Sequence, residues 1–397
     1  MGVSTVVSLN GLRALIIGAG DEQVFFIEEA QKLGIYVIAM DENPLAKGLT
    51  IANKGYCLDI KNESEVIKIA KECFIDFVMP APIGNLITTI GAVNDALNLK
   101  GVTKEQAELF SSKEKFKKLK HAHHFYNPKE ITIKNPDMSK IQKVVGECNC
   151  RCVLRPSKGA GSRGVVVVEK EDTALIREHL DALLPTEYCL VSEFVQGIEY
   201  GIDLLILDEI HVLSIRQKMI TNIPYRQEVG FTIVNDGNIH QKVKMEFEKL
   251  VHITNLSSVM MHADVIINGE SVFIVEASPR PSGLGIYPNL LSAYYIEPIV
   301  QECISMILNE KSTFSLSHTT SLMGLYFWDL PNKQITRIID YKAKGIIKCK
   351  YNLSIGEEIP LVKQGADIYN RGYFLLKSER KKDLLDLREK ILDSAVQ

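Results

Sequence analysis

The chain has 397 residues, enough for two or three domains with substantial cores. Hydrophobic residues make up 46% and charged residues 24%, which excludes a disordered chain and a collagen-like repeat. The formal charge of −3 gives no whole-chain attraction to nucleic acid, and no apolar run reaches the ~20 residues of a membrane span. Met1 to Asn10 lacks a basic segment ahead of an apolar one, so a cytoplasmic protein is expected.

Arg13 to Ile17 is a short apolar run ending in Gly18-Ala19-Gly20, followed by a helical pattern through Gln31 and Lys32. Tyr36 to Met40 is a second apolar run, ending at Asp41, and Ile75 to Met79 a later one, closed by Pro80-Ala81-Pro82. Strands alternating with helices predict an α/β unit with a parallel sheet, whose strand ends bring Gly18, Gly20 and Asp41 to a crevice. A dinucleotide fingerprint is not complete. After Gly20 come Asp21, Glu22 and Gln23, and the third glycine is missing, so the loop reads as a tight turn that can hold part of another substrate.

Ser111-Ser112 precedes a basic helix opening at Lys113, with the serines as caps, and Asn127 to Asp137 is a connection. His121, His123 and His124 lie two and three apart, which reads as a polar helix end and not a metal pair. Cys148, Cys150 and Cys152 fit alternate positions of a strand, with no second cysteine pair to complete a zinc site. Beyond about Lys311 come short strand-like runs, Leu322 to Trp328 and Gly345 to Tyr351, then a charged helix from Ser378.

Three motifs carry chemistry. Val153 to Pro156 runs into Ser157-Lys158-Gly159-Ala160-Gly161-Ser162-Arg163-Gly164 and then the strand Val165 to Val168. A glycine-rich loop between two strands is not a Walker P-loop, but its backbone N–H groups with Lys158 and Arg163 can close over phosphates. Glu193-Phe194-Val195 ends an apolar strand, turns at Gly197 and resumes at Glu199, a linker able to present backbone groups to an adenine edge. His262 to Ile267, a turn at Asn268-Gly269, and Val272 to Val275 form a hairpin with Asp264 and Glu276 on its two arms. Two close carboxylates repel unless a cation sits between them, so Mg²⁺ bridging to phosphate is expected there, with Arg280 as a planar cation nearby.

In this order the three motifs resemble the ATP-grasp superfamily over most of the chain. The resemblance implies an α/β (α+β ATP-grasp) fold: a pre-ATP-grasp domain with a parallel sheet over 1–110, a two-subdomain ATP-grasp domain over 111–310, and a small C-terminal domain over 311–397. The subdomain carrying the glycine-rich loop is expected over about 115–190. It implies ATP contacts by Lys113, by Arg155 in place of a lysine, and by Lys158, Gly159, Gly161, Ser162, Arg163 and Gly164. Glu193, Phe194 and Val195 correspond to the adenine hinge and Glu199 to the ribose acid. Asp264 and Glu276 correspond to the ligands of Mg²⁺ or Mn²⁺, with Ser278 where an asparagine often stands.

Family chemistry implies a carboxylate–amine ligase that makes an amide through an acyl phosphate, releasing ADP and phosphate, with Arg280 and Arg155 in catalytic positions. Lys218, Arg226, Arg280 and Gly283 are candidates for holding the small-molecule carboxylate and amine. Pro281-Ser282-Gly283-Leu284-Gly285 resembles amino-acid ligases more than purine enzymes, so amino-acid substrates are the first reading. The second is a purine-pathway enzyme of the phosphoribosyl-aminoimidazole carboxylase or glycinamide ribonucleotide transformylase type, and the third a nucleotide-binding protein without turnover. Homodimers are common in the resembled family, and neither a nucleic-acid nor a membrane partner is expected.

Overall fold

The computed structural model describes residues 9–395 except 85, 149–150, 158–163, 170, 185–187, 310–315, 338–344 and 364. β1 (Arg13–Ile17), β2 (Tyr36–Asp41), β3 (Lys54–Cys57) and β4 (Phe77–Val78) form a parallel sheet of order β3-β2-β1-β4. β1 and β2 are buried on both faces, which is why they read as unbroken apolar runs. The fourth strand is shorter than the Ile75–Met79 run suggests, because it pairs with β1 only at Ala14 and Leu15 before Pro80. The helix Asp21–Lys32 leaves the end of β1, and Asp41 Oδ2 accepts the Ala19 N–H at 2.7 Å, holding the first two strand ends together.

β5 (Glu130–Ile133), β6 (Cys152–Pro156), β7 (Val166–Val168) and β8 (Cys189–Glu193) make an antiparallel sheet, order β5-β8-β6-β7. The remaining strands are β9 (Ile198–Ile206), β10 (Ile210–Ile220), β11 (Glu228–Ile233), β12 (Val259–Asn268) and β13 (Ser271–Ser278). They are followed by β14 (Leu322–Phe327), β15 (Lys333–Gln334), β16 (Ile346–Tyr351), β17 (Glu358–Ile359) and β18 (Gly372–Ser378). Eight of these form one sheet of order β13-β12-β9-β10-β11-β14-β18-β16, so β14, β18 and β16 continue it beyond Lys311, while β15 and β17 pair separately. The charged C-terminal helix spans Lys381–Ala395 and buries Leu384, Ile391 and Leu392. No helix among the described residues is long and apolar enough to cross a membrane.

The seam between β11 and β14 depends on Gly230. It faces Tyr326, whose hydroxyl meets the Thr232 hydroxyl at 2.7 Å, and a Cβ at Gly230 would stand 2.4 Å from the ring. Gly230→Ala should therefore cost about 1–3 kcal/mol by overpacking. A urea midpoint equal to that of the wild type would contradict this reading of the seam.

The helix Lys113–Ala122, capped by the Ser112 side chain, packs against the β12–β13 hairpin through a buried lysine. Lys120 is 5% exposed, donates to the Ile274 carbonyl at 2.8 Å and lies 4.7 Å from the centre of the Phe273 ring. Burial pushes its pKa down to about 7; Arg155 reinforces the shift and Glu130 opposes it. The folded value lies below the ordinary 10.5, so between them the unfolded chain holds more protons and stability rises with pH. Lys120→Met should remove this slope, at most about 1.4 kcal/mol per pH unit. Parallel stability curves for variant and wild type between neutral pH and pH 9 would overturn the assignment.

Candidate active site

A cavity of about 860 Å³ lies between the β5–β8 sheet and the long sheet, closed on its third side by the strand ends of the N-terminal sheet. Its floor is set by charge. Arg216 and Lys218 alternate along β10 and so share a face. Arg216 is paired with the fully buried Asp203 of β9. Gly201 gives the guanidinium room, since a Cβ there would stand 2.9 Å from Nη2. Lys218 is paired with Glu228 of β11 and, at 2.7 Å, with Asp264 of β12.

Burial alone would raise the Asp264 pKa, but Lys218 and then His262 hold it well below the carboxylate range. Burial raises that of Glu228, with Lys218 opposing. Asp203 also accepts the Ser282 N–H at 3.1 Å and the Ser282 hydroxyl at 3.0 Å. The loop after β13, with Arg280, is thereby tied to the floor.

The hairpin does bring Asp264 and Glu276 together, by a route the sequence spacing hides. Its two-residue loop is Gly269 and Glu270, one position later than expected, with Gly269 at φ +57°. A regular ladder from that loop would put Asp264 opposite Val275 and turn Glu276 to the other face. A bulge between Asp264 and Val265 restores the pair, and Asp264 and Glu276 are direct cross-strand partners. β13 runs on to Ser278, which pairs with His262.

Mg²⁺ is commonly held by one or two carboxylates, with substrate phosphates and water completing six oxygens. The ionised Asp264, the exposed Glu276 and the hydroxyl of Ser278 fit that chemistry. Among the described residues no group of three or more His, Cys, Asp or Glu side chains assembles as a metal site.

Most of the other expected residues that the structure describes fall around the same cavity. Lys113 and Arg155 line it; Lys113 Nζ donates to the Pro156 carbonyl at 2.8 Å, and Arg155 is paired with Glu130. Lys158, Gly159, Gly161, Ser162 and Arg163 lie outside the described residues, and Gly164, next in the chain, takes φ +67°. Glu193, Phe194, Val195 and Glu199 line the cavity on the side of β8 and β9. Arg226 is paired with Glu199, Nε to Oε1 at 3.2 Å, and its guanidinium lies 5.1 Å from the centre of the Phe194 ring.

Arg226 and Lys218, expected as grips for a substrate anion, thus both have carboxylate partners in the protein. Arg280 lines the cavity and donates to the Pro281 carbonyl at 2.8 Å. Gly283 lies against Glu22. Sequence reasoning missed Asp203, Arg216, Glu228 and Glu22. For Asp203 a signal was present: a lone carboxylate inside the apolar run Tyr200–Ile206 requires a buried partner.

Residues 111–284 match the family described as the ATP-grasp domain. The chain is 22% identical over 378 residues to the formate-dependent phosphoribosylglycinamide formyltransferase of Methanocaldococcus jannaschii, covering 89% of this chain and 85% of that protein. Among solved structures, the L-amino acid ligase from Bacillus licheniformis superposes with a TM-score of 0.76 at 16% identity, covering 98% of each chain. The phosphoribosylglycinamide synthetase from Anaerococcus prevotii gives 0.69 at 20% identity, covering 97% of this chain and 98% of that one. The chain therefore has the ATP-grasp fold, with an ATP-grasp domain over residues 111–284.

Proposed function

We propose that the protein is an ATP-dependent ligase that activates a carboxylate as an acyl phosphate and passes the acyl group to an amine. The observation that carries this reading is the pairing of Asp264 with Glu276 in a cavity also lined by Lys113, Arg155 and Arg280. Lys113 and Arg155, with the loop that includes Lys158 to Gly164, hold the ATP phosphates. The segment Glu193–Val195 holds adenine, and Glu199 the ribose, which requires its link to Arg226 to loosen or be shared. Asp264, Glu276 and Ser278 hold Mg²⁺, which when bound neutralises charge on the transferring phosphoryl group. Arg280 orients the carboxylate for attack on the γ-phosphorus, in line with the departing ADP.

Two substrate assignments fall within this reaction. The curated relatives, matched over most of the chain, favour formate with a phosphoribosyl-bearing amine, which the sequence reading places second. The acidic wall formed by Glu22, Asp41 and Glu42 favours instead an amine free of phosphate, as in amino-acid ligation. Measuring ADP release with Mg-ATP separates them. Formate plus glycinamide ribonucleotide is one arm and pairs of amino acids the other. ADP release independent of both carboxylate and amine would contradict the ligase reading.

Glu276→Gln keeps the size of the side chain but removes one carboxylate of the pair. Steady-state ADP production should fall at least about 100-fold, with the unfolding midpoint unchanged, since Glu276 is exposed. Near-normal turnover at saturating Mg²⁺ would remove Glu276 from the metal site.

A further inference from the structure

Glu22 stands on the first turn of the helix Asp21–Lys32, where the N-terminal sheet meets the cavity. The loop after β13 is shaped around its carboxylate. Oε1 accepts the Gly285 N–H at 3.1 Å, and a Cβ on Gly283 would stand 2.8 Å from Oε2. Leu284 and Gly285 take left-handed backbone, φ +55° and +66°, where that loop passes the carboxylate.

Among the described residues Arg280, from the loop after β13, acts on Glu22, and Glu22 and Asp21 of the same helix both act on Tyr369 of the helix Gly365–Tyr369. Burial, with Glu22 itself contributing, holds the Tyr369 phenol at about 12, so it is uncharged at neutral pH. Burial raises the Glu22 pKa, while the Gly285 and Leu284 N–H groups and Arg280 oppose the rise. A carboxylate of this kind is a better proton acceptor than an exposed one.

An amine substrate arrives at neutral pH as an ammonium, without a lone pair to attack an acyl phosphate. We infer that Glu22 is the general base of the amide-forming half-reaction. Its carboxylate takes one proton from the ammonium, and the freed nitrogen lone pair forms the bond to the acyl carbon. The carbon–oxygen bond to phosphate breaks with its electron pair leaving on phosphate, which also takes the second nitrogen proton. Arg280, from the loop after β13 and close enough to act on Glu22, keeps the acyl group beside it. The inference rests on the acyl-phosphate reading above.

Hydroxylamine is uncharged at neutral pH and needs no base, so it tests the two halves separately. With Mg-ATP and formate or L-alanine, Glu22→Gln should form hydroxamate at close to the wild-type rate. With the same carboxylate and an ammonium acceptor, glycinamide ribonucleotide for formate and a second L-alanine for L-alanine, amide formation should fall about 10²–10⁴-fold. The residual rate should climb with pH as the free amine appears in solution.

An undiminished amide rate, or equal loss of hydroxamate and amide, would overturn the role of Glu22. Absence of hydroxamate and ADP in the wild type with both carboxylates would instead overturn the acyl-phosphate reading, and the inference with it.

Discussion

Two buried cations on one face of β10 dictate how this molecule is assembled around its cavity. Arg216 is 1% exposed and Lys218 8%, and neither can be buried unless carboxylates meet it. The partners come from three different strands: Asp203 on β9, Glu228 on β11 and Asp264 on β12. The charges therefore require the order β12-β9-β10-β11 and its register as strictly as the apolar residues do. Removing one partner would leave an uncompensated charge inside the sheet, which typically costs 3–5 kcal/mol. The same network reaches outward, because Asp203 also fixes Ser282 and Lys218 holds Asp264 ionised. Fold and site are thus joined through shared carboxylates.

The elements legible in the sequence are those whose signal is local. The turn glycines of β1 and β13, the Ser112 cap and the apolar strands need no knowledge of distant partners. The hairpin was legible only in part. A regular two-residue loop gives odd parity to the pairing, so Asp264 and Glu276 would face opposite sides, and only the bulge brings them together. Nothing in Ile274-Val275-Glu276 announces that bulge, in which Val275 is the extra residue while β12 keeps an unbroken register with β9. The pairing of Arg226 with Glu199 and of Lys218 with two acids was hidden for a similar reason: sequence separation says little about which opposite charges meet.

The comparisons and the cavity constrain different parts of the account. A shared fold at 16–20% identity carries the architecture, and the match to the ATP-grasp domain covers residues 111–284. Neither fixes the acceptor; on the proposed reading its surroundings would come from outside that segment, at the ends of β1 and β2 and in the helix Gly365–Tyr369. That wall bears Glu22, Asp41 and Glu42, while Arg280 is supplied from the central part. On the proposed reading, activation of one substrate and selection of the other would rest on different elements of the fold.

The central claim is that a carboxylate oxygen becomes bonded to the γ-phosphorus of ATP. It is tested most directly by turnover with ¹⁸O-labelled carboxylate and Mg-ATP, followed by ³¹P NMR of the phosphate released. Formate with glycinamide ribonucleotide and L-alanine with itself serve as the two labelled pairs. The account predicts one ¹⁸O in each phosphate formed with the accepted pair. Phosphate free of label, formed alongside product, would mean that water or the amine attacks without an acyl phosphate and would contradict the account.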